Sequence, residues 1–229
     1  MKKLTSISLT GLHLKLIGWF FTLFYLAALM LFPAEDTGMA KMILTYIGYI
    51  SLPFFAFLLV EGFAYTRSRI RYSLFLLGAA LLAEPFYDFF CCGAWLDFEA
   101  VNGQNILFAY FLGVVQLYFI SYMGTGTIVR TVCTVVMVLA CGIWAVIFNI
   151  PGGGCVQLLV GIFYLLHEHP RVKNWLAAAA ALLCLTTPVL AVPVITWYND
   201  DPGDYNKYLF YVAYPAIWMV AVLVKFWLV

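Results

Sequence analysis

Residues 52–71, LPFFAFLLVEGFAYTRSRIR, constrain the fold more than any other stretch of this chain. The run is apolar, carries one carboxylate, Glu61, and stops at Arg67, Arg69 and Arg71. A segment surrounded by hydrocarbon must satisfy its own backbone hydrogen bonds, so a run of this kind is expected to be a helix. An ionised side chain within it is costly and marks a functional site by default, which makes Glu61 a candidate. The arginine cluster marks the cytoplasmic end of that helix. Elsewhere the chain has the same character, with 65% hydrophobic and 10% charged residues. A soluble domain is about half apolar and about a quarter charged, so the sequence reads as a polytopic membrane protein with the lipid bilayer as its first partner.

A crossing helix needs about 20 apolar residues, because each rises 1.5 Å through a core about 30 Å thick. Eight candidate spans follow, at roughly 12–32, 42–64, 72–92, 104–123, 127–149, 152–167, 174–197 and 208–228. The sixth is the shortest and opens on Gly152, Gly153 and Gly154, which suits a re-entrant or strongly buried element. Lys2 and Lys3 before the first span imitate a signal peptide, but the apolar run is too long and has no small-residue cleavage site, so it reads as retained. The fold class is all-α: a polytopic membrane helix bundle of about eight transmembrane helices, both termini cytoplasmic, with residues 1–229 as a single transmembrane domain.

Charge placement agrees with eight crossings. With the N-terminus inside, the cytoplasmic segments hold Lys2, Lys3, Lys15, Arg67, Arg69, Arg71, Arg130, Arg171, Lys173 and Lys225, while Lys41 and Lys207 fall outside. Ten against two is the asymmetry expected of a correct topology. The outer loops collect Glu35, Asp36, Asp97, Glu99, Asp200, Asp201 and Asp204. A net charge of +1 therefore conceals a dipolar protein and offers no nucleic-acid surface.

Three carboxylates fall within spans: Glu61, Glu84 and Asp88. Glu84 and Asp88 are four residues apart and share a helix face, with Pro85 between them to kink the helix and open space. Paired carboxylates at low dielectric suit proton transfer. The bland alternatives are a bond from Glu84 to a neighbouring helix, Asp88 at the outer interface, and Glu61 reaching back to pair with an arginine. Gln104 and Asn105 open the fourth span, either to cap it or to hydrogen-bond Glu84 or Asp88. The cysteines carry no metal-ligand spacing. Cys91, Cys92 and Cys155 are expected near the outer face, where spacing assigns no bridge. His167 and His169 flank Glu168 too closely to share a helix face, so a metal site is not expected there. Tyr205, Tyr208, Tyr211 and Tyr214 read mostly as interfacial anchors, with a ligand cage as the open alternative.

Several segments in collinear order carry a family resemblance: LTGLHLKLI, FPAED, SLPFFAFLLVEGFAYTRSR, AEPFYDF, GQNILFAYFLG, GIFYLL and YPAI. The chain resembles the TraX family, named for the pilin N-acetylation protein of conjugative plasmids. That resemblance implies a multi-pass protein of the bacterial cytoplasmic (inner) membrane. It also implies an acyl- or acetyltransferase using acetyl-CoA as donor and a small pilin-like membrane protein as acceptor. Glu61, Arg67, Glu84, Asp88, Gln104 and Asn105 stand at matching positions. On this reading Glu84, Asp88 and Glu61 do acid–base work, Arg67, Arg69 and Arg71 meet the CoA phosphates, and Gln104 and Asn105 bind substrate. The family's usual Asp-His in the first span is here Tyr25 and Leu26, its Arg in the second is Tyr49, an Asp before the sixth is Pro151, and a His in the last is Ile217. These departures leave a second expectation open, a member without catalysis that binds a partner or serves structurally. A transporter with Glu61 and Glu84 on its path is disfavoured, because the two halves show no clear repeat.

Overall fold

Proline and glycine punctuation turns these apolar runs into ten α-helices in a computed structural model that describes residues 8–32, 36–96, 103–122 and 126–228. Helix α1, Gly11–Leu31, starts at Thr10, whose hydroxyl and the His13 ring satisfy each other's backbone N–H groups. The second apolar run breaks into α2, Met39–Gly48, and α3, Ser51–Tyr65. Pro53 has no N–H to give the Tyr49 carbonyl, so the chain bends at Tyr49 and Ile50. Helix α4, Arg69–Cys92, starts at the Ser68 cap and ends at Gly93, whose φ of 77° a side chain would resist. After it come α5, Ile106–Tyr122, α6, Thr127–Ile147, and α7, Gly153–Leu165. Next are α8, Pro170–Leu185, a single 3-10 turn over Thr187–Leu190, and the short α9, Ala191–Ile195; α10, Lys207–Leu228, closes the chain.

The all-α membrane bundle expected from the sequence is what the chain forms. Among the described residues, five apolar stretches are long enough to cross a bilayer: Gly11–Leu31, Met39–Tyr65, Arg69–Cys92, Ile128–Ile147 and Tyr208–Trp227. The shorter apolar helices α5 and α7 fill its interior, and α7 is the strongly buried element rather than a re-entrant one. Helix α6 turns Val132, Val136, Leu139 and Ile143 outward, an exposed apolar face suited to lipid.

Span seven departs from expectation. Helix α8 stops at Leu185 because Thr186 adopts φ 63° and Pro188 cannot donate to the Cys184 carbonyl. The chain then turns back through α9 along α8, so that Thr196 returns beside Arg171 and Asn174. Leu9 pairs with Tyr198, and the Asp201 carbonyl accepts from the Gly11 N–H at 2.7 Å. The segment with Asp200, Asp201 and Asp204 therefore lies at the end of the bundle that holds Arg67, Arg69 and Arg71. Helix α10 starts there and runs parallel to α4, with Phe75 against Tyr208 at 5.5 Å and the Lys225 ammonium donating to the Phe90 carbonyl at 2.7 Å. Leu9 and Lys225 thus lie at opposite ends, a correction to the expectation of both termini on one side.

Of the ten described lysines and arginines, Lys15, Arg67, Arg69, Arg71, Arg130, Arg171, Lys173 and Lys207 belong to the arginine end, and Lys41 and Lys225 to the other. The charge asymmetry survives because Lys207 and Lys225 have exchanged sides. Lys2, Lys3, Glu35, Asp97 and Glu99 lie outside the described residues.

Two separate cores hold the bundle together. The larger joins α3, α5 and α7 around Phe54, Leu59, Val60, Phe63, Leu117, Val156 and Phe163. Gln116 and Gln157 lie fully buried in it, donating to the Gln157 and Ala109 carbonyls at 3.3 and 2.7 Å. The smaller joins α4 and α10 around Ala83, Tyr87, Phe90, Tyr214, Trp218, Ala221 and Val222.

Candidate functional site

A cavity of about 350 Å³ opens between the two cores, walled by α1, α3, α4 and α10. The lining aromatics include ten tyrosines, Tyr25, Tyr49, Tyr65, Tyr72, Tyr87, Tyr110, Tyr198, Tyr205, Tyr211 and Tyr214, of the 15 in the chain. Of the four tyrosines read mostly as interfacial anchors, Tyr205, just before α10, and Tyr211 and Tyr214 within it line the cavity. The signal that could have found them is the density of tyrosine in spans one, two, three and eight together. Within the wall the Tyr25 and Tyr87 hydroxyls partner each other, and Tyr214 partners Trp218 and the Ile106 backbone.

At the arginine end the mouth is formed by Gly11, Lys15, Glu61, Thr66, Tyr198, Pro202 and Tyr205. The Lys15 ammonium hydrogen-bonds the Tyr205 hydroxyl and sits 4.9 Å from the centre of the Phe210 ring. The mouth exists because the chain turns back after α8; a crossing span would carry Tyr198 and Pro202 away from it. Burial first, and the Glu61 charge after it, push the Tyr198 phenol up, so it stays a neutral hydrogen-bond donor.

Glu61 is 6% exposed and the one carboxylate among the three candidates that lines the cavity. Its partner is not one of the arginines. His167, just past the end of α7, faces it with Nδ1 3.9 Å from Oε1, and Lys173 and Asp200 are the other charges it feels. The HEH spacing gives His167 no site role in sequence, and its side chain is largely exposed, yet it closes on a buried carboxylate. The spacing of 106 positions between the two gives no sequence signal for the pair.

Glu84 and Asp88 lie behind the wall rather than in it. Glu84 accepts from both the side chain and the backbone N–H of Asn105, the latter at 3.3 Å. The same Asn105 amide also donates to the Ala80 carbonyl at 3.0 Å, and its Oδ1 accepts from the Leu107 N–H at 3.0 Å. Asn105 therefore both caps α5 and bonds Glu84, the two roles the sequence offered as alternatives. Glu84 Oε1 is buried with no hydrogen-bond partner among the described residues. Asp88, expected as an alternative at the outer interface, is only 2% exposed. Gln104 donates its backbone N–H to the Phe148 carbonyl at 3.2 Å. Arg67, Arg69 and Arg71 are exposed at the arginine end; Arg69 donates to the Ser121 hydroxyl at 3.0 Å and stacks over the Phe63 ring. All six cysteines are free thiols.

The five positions at which the resemblance leads one to expect other residues, Tyr25, Leu26, Tyr49, Pro151 and Ile217, all line this cavity. Tyr25 and Tyr49 are in ring contact at 5.9 Å. Gly48 beside them is required by close approach, since a Cβ there would stand 2.5 Å from that of Tyr25. The profile of the TraX protein family matches residues 1–225. A relative from Dichelobacter nodosus, described as a probable fimbrial assembly protein FimC of serogroup H1, is 26% identical over 201 residues, which cover 76% of this chain and 79% of that protein. No solved structure matches.

Proposed function

Because the chain belongs to the TraX family, we propose that it serves a pilus- or fimbria-building system as a membrane acyltransferase, working at the arginine-end mouth of the cavity. Its place is the bacterial cytoplasmic membrane, with that end inside by the distribution of lysine and arginine. The observation that carries the reading is Glu61, a buried carboxylate at the mouth of the cavity with His167 behind it. Such a group takes the proton from an acceptor amine as the nitrogen attacks a thioester carbonyl; the carbon–sulfur bond breaks, and the thiol leaves with a proton. Acetyl-CoA supplies the acyl group as a thioester. Arg67, beside the lining residue Thr66, and Arg71 present exposed guanidinium groups suited to its phosphates. Glu84 and Asp88 support that site from behind its wall, by fixing α4 and the start of α5. The acceptor in this reading is the amine of a small pilin-like membrane protein, in keeping with the fimbrial-assembly relative.

One observation favours a second reading, a member that binds its partner without transfer. Tyr25, Leu26, Tyr49, Pro151 and Ile217 give the cavity none of the charged or imidazole groups that the family resemblance leads one to expect there. Thermal unfolding in nanodiscs with acetyl-CoA, run on the parent and on Glu61→Gln, separates the two. At about 100 times its dissociation constant a ligand adds roughly 2.7 kcal/mol of stability. Transfer reads as stabilisation in both proteins, with acyl product formed on an amine acceptor by the parent alone. Stabilisation with no product from either protein would leave the binding role, and the lack of stabilisation at millimolar donor would remove acetyl-CoA from the account.

A further inference from the structure

The cavity has a shape and a polarity that the transfer of an acetyl group does not use. Its lining runs along α1 from Gly11 to Leu26, fifteen positions or about 22 Å of helix, so it is long rather than round. Among the described residues its two charged lining groups, Lys15 and Glu61, both lie toward the arginine end. Beyond them the walls are mainly aliphatic and aromatic, with Leu26, Leu76, Ala79 and Ile217 among them; the hydroxyls of Tyr25, Tyr214 and Thr22 are already partnered, and those of Ser51, Tyr49, Tyr72 and Tyr110 are the neutral polar groups that remain. A charged group would lose its hydration there with no opposite charge to replace it.

Helices α1 and α10 flank the cavity and meet through side chains, Trp19 with Tyr214 at 6.3 Å and Lys15 with Tyr205 and Phe210. Rotation of aromatic rings is a far smaller rearrangement than separation of packed backbones, and beyond those rings lies the bilayer.

We propose that this cavity holds one hydrocarbon chain of an anionic single-chain amphiphile, taken in from the lipid between α1 and α10, with the head left at the arginine end. The chain fills the aromatic slot, and the head meets Arg67, which follows the lining residue Thr66, and Arg71. Two carriers share this chemistry, a long-chain acyl-coenzyme A and a lysophospholipid. Binding of this kind goes beyond the transfer reading and needs no turnover, so it stands or falls separately from it.

Trp19 and Trp218 line the cavity, whereas Trp95, Trp144, Trp175, Trp197 and Trp227 are exposed. A variant with those five changed to Phe reports on the cavity alone. In nanodiscs of unlabelled lipid it is given either a chain-brominated palmitoyl-coenzyme A or a chain-brominated palmitoyl-lysophosphatidylglycerol, at equal mole fraction. Loss of most of the tryptophan emission with either probe, abolished in both Ala79→Leu and Leu26→Phe, is the expected result, and the stronger quencher names the carrier. Two filling variants are used so that failure of one to fold, seen as loss of monodispersity, leaves the other to decide. Quenching that persists undiminished after filling would mean that the bromines reach the rings from surrounding lipid, and would overturn the proposal. So would the absence of quenching by both probes.

Discussion

The two cores of this bundle are built from different materials, and the cavity lies where they fail to meet. Around α3, α5 and α7 the core is aliphatic and phenylalanine-rich, tightened where glycine lets neighbours in: a Cβ on Gly113 would stand 2.8 Å from Leu59. Its buried glutamines stitch α5 to α7, as polar groups must be stitched where no water can reach them. Around α4 and α10 the core is aromatic, with Tyr87 and Trp218 edge to face at 4.9 Å. Large flat rings leave slots between them where branched aliphatic side chains would interlock. The two halves therefore differ in texture: one is packed as scaffold, and the other presents an aromatic wall to the cavity. Glu84 and Asn105 tie α4 to the start of α5, the helix that bridges the halves.

The largest expected effect follows from cutting that tie. Glu84→Ala leaves the Asn105 amide short of an acceptor in a buried site and is expected to destabilise the protein by about 2–3 kcal/mol, read by unfolding in mixed micelles. Paired with Asn105→Ala in a double-mutant cycle it should give a coupling of about 1–2 kcal/mol, while pairing it with Gln157→Leu should be additive. Additivity in the first pair would break the claim that these residues join the cores. Gln157→Leu alone is expected to cost about 1 kcal/mol, since interhelical hydrogen bonds in membranes are worth no more than about 1–2. Tyr25→Phe removes a hydroxyl from the aromatic wall and should cost less, about 0.5 kcal/mol, because its Tyr87 partner can turn to another acceptor. Smallest is Val136→Ala on the lipid-facing side of α6, within about 0.5 kcal/mol in the same assay.

Much of this architecture was legible in the sequence, because length and apolarity alone decide what can sit in a bilayer. The arginine end and the burial of Glu61, Glu84 and Asp88 are examples. The return of the chain after α8 was not. Residues 186–195 are as apolar as a crossing helix, and hydropathy does not register that Pro188 and Pro193 each withhold a backbone N–H. Counting lysines and arginines was blind to the error, since moving α10 exchanges Lys207 for Lys225 and leaves the totals unchanged. The Glu61–His167 pair was hidden for a different reason. It is made between helices that are distant in sequence, and neither residue is remarkable beside its own neighbours. The convergence of Tyr25, Leu26, Tyr49, Pro151 and Ile217 on one cavity was equally invisible, although each departure from the family pattern had been identified singly.

The cavity as described depends on residues 198–205 closing its mouth at the arginine end, so the most direct test is the side on which they lie. Single cysteines at Ser68, Asp204 and Phe226, in a background with the native cysteines replaced, can be labelled with a membrane-impermeant maleimide in oriented vesicles. The account predicts that Ser68→Cys and Asp204→Cys react from one face and Phe226→Cys from the other. Reaction of Asp204→Cys from the face opposite Ser68→Cys, with Phe226→Cys now on the Ser68 side, would restore eight crossings and remove the mouth of the cavity.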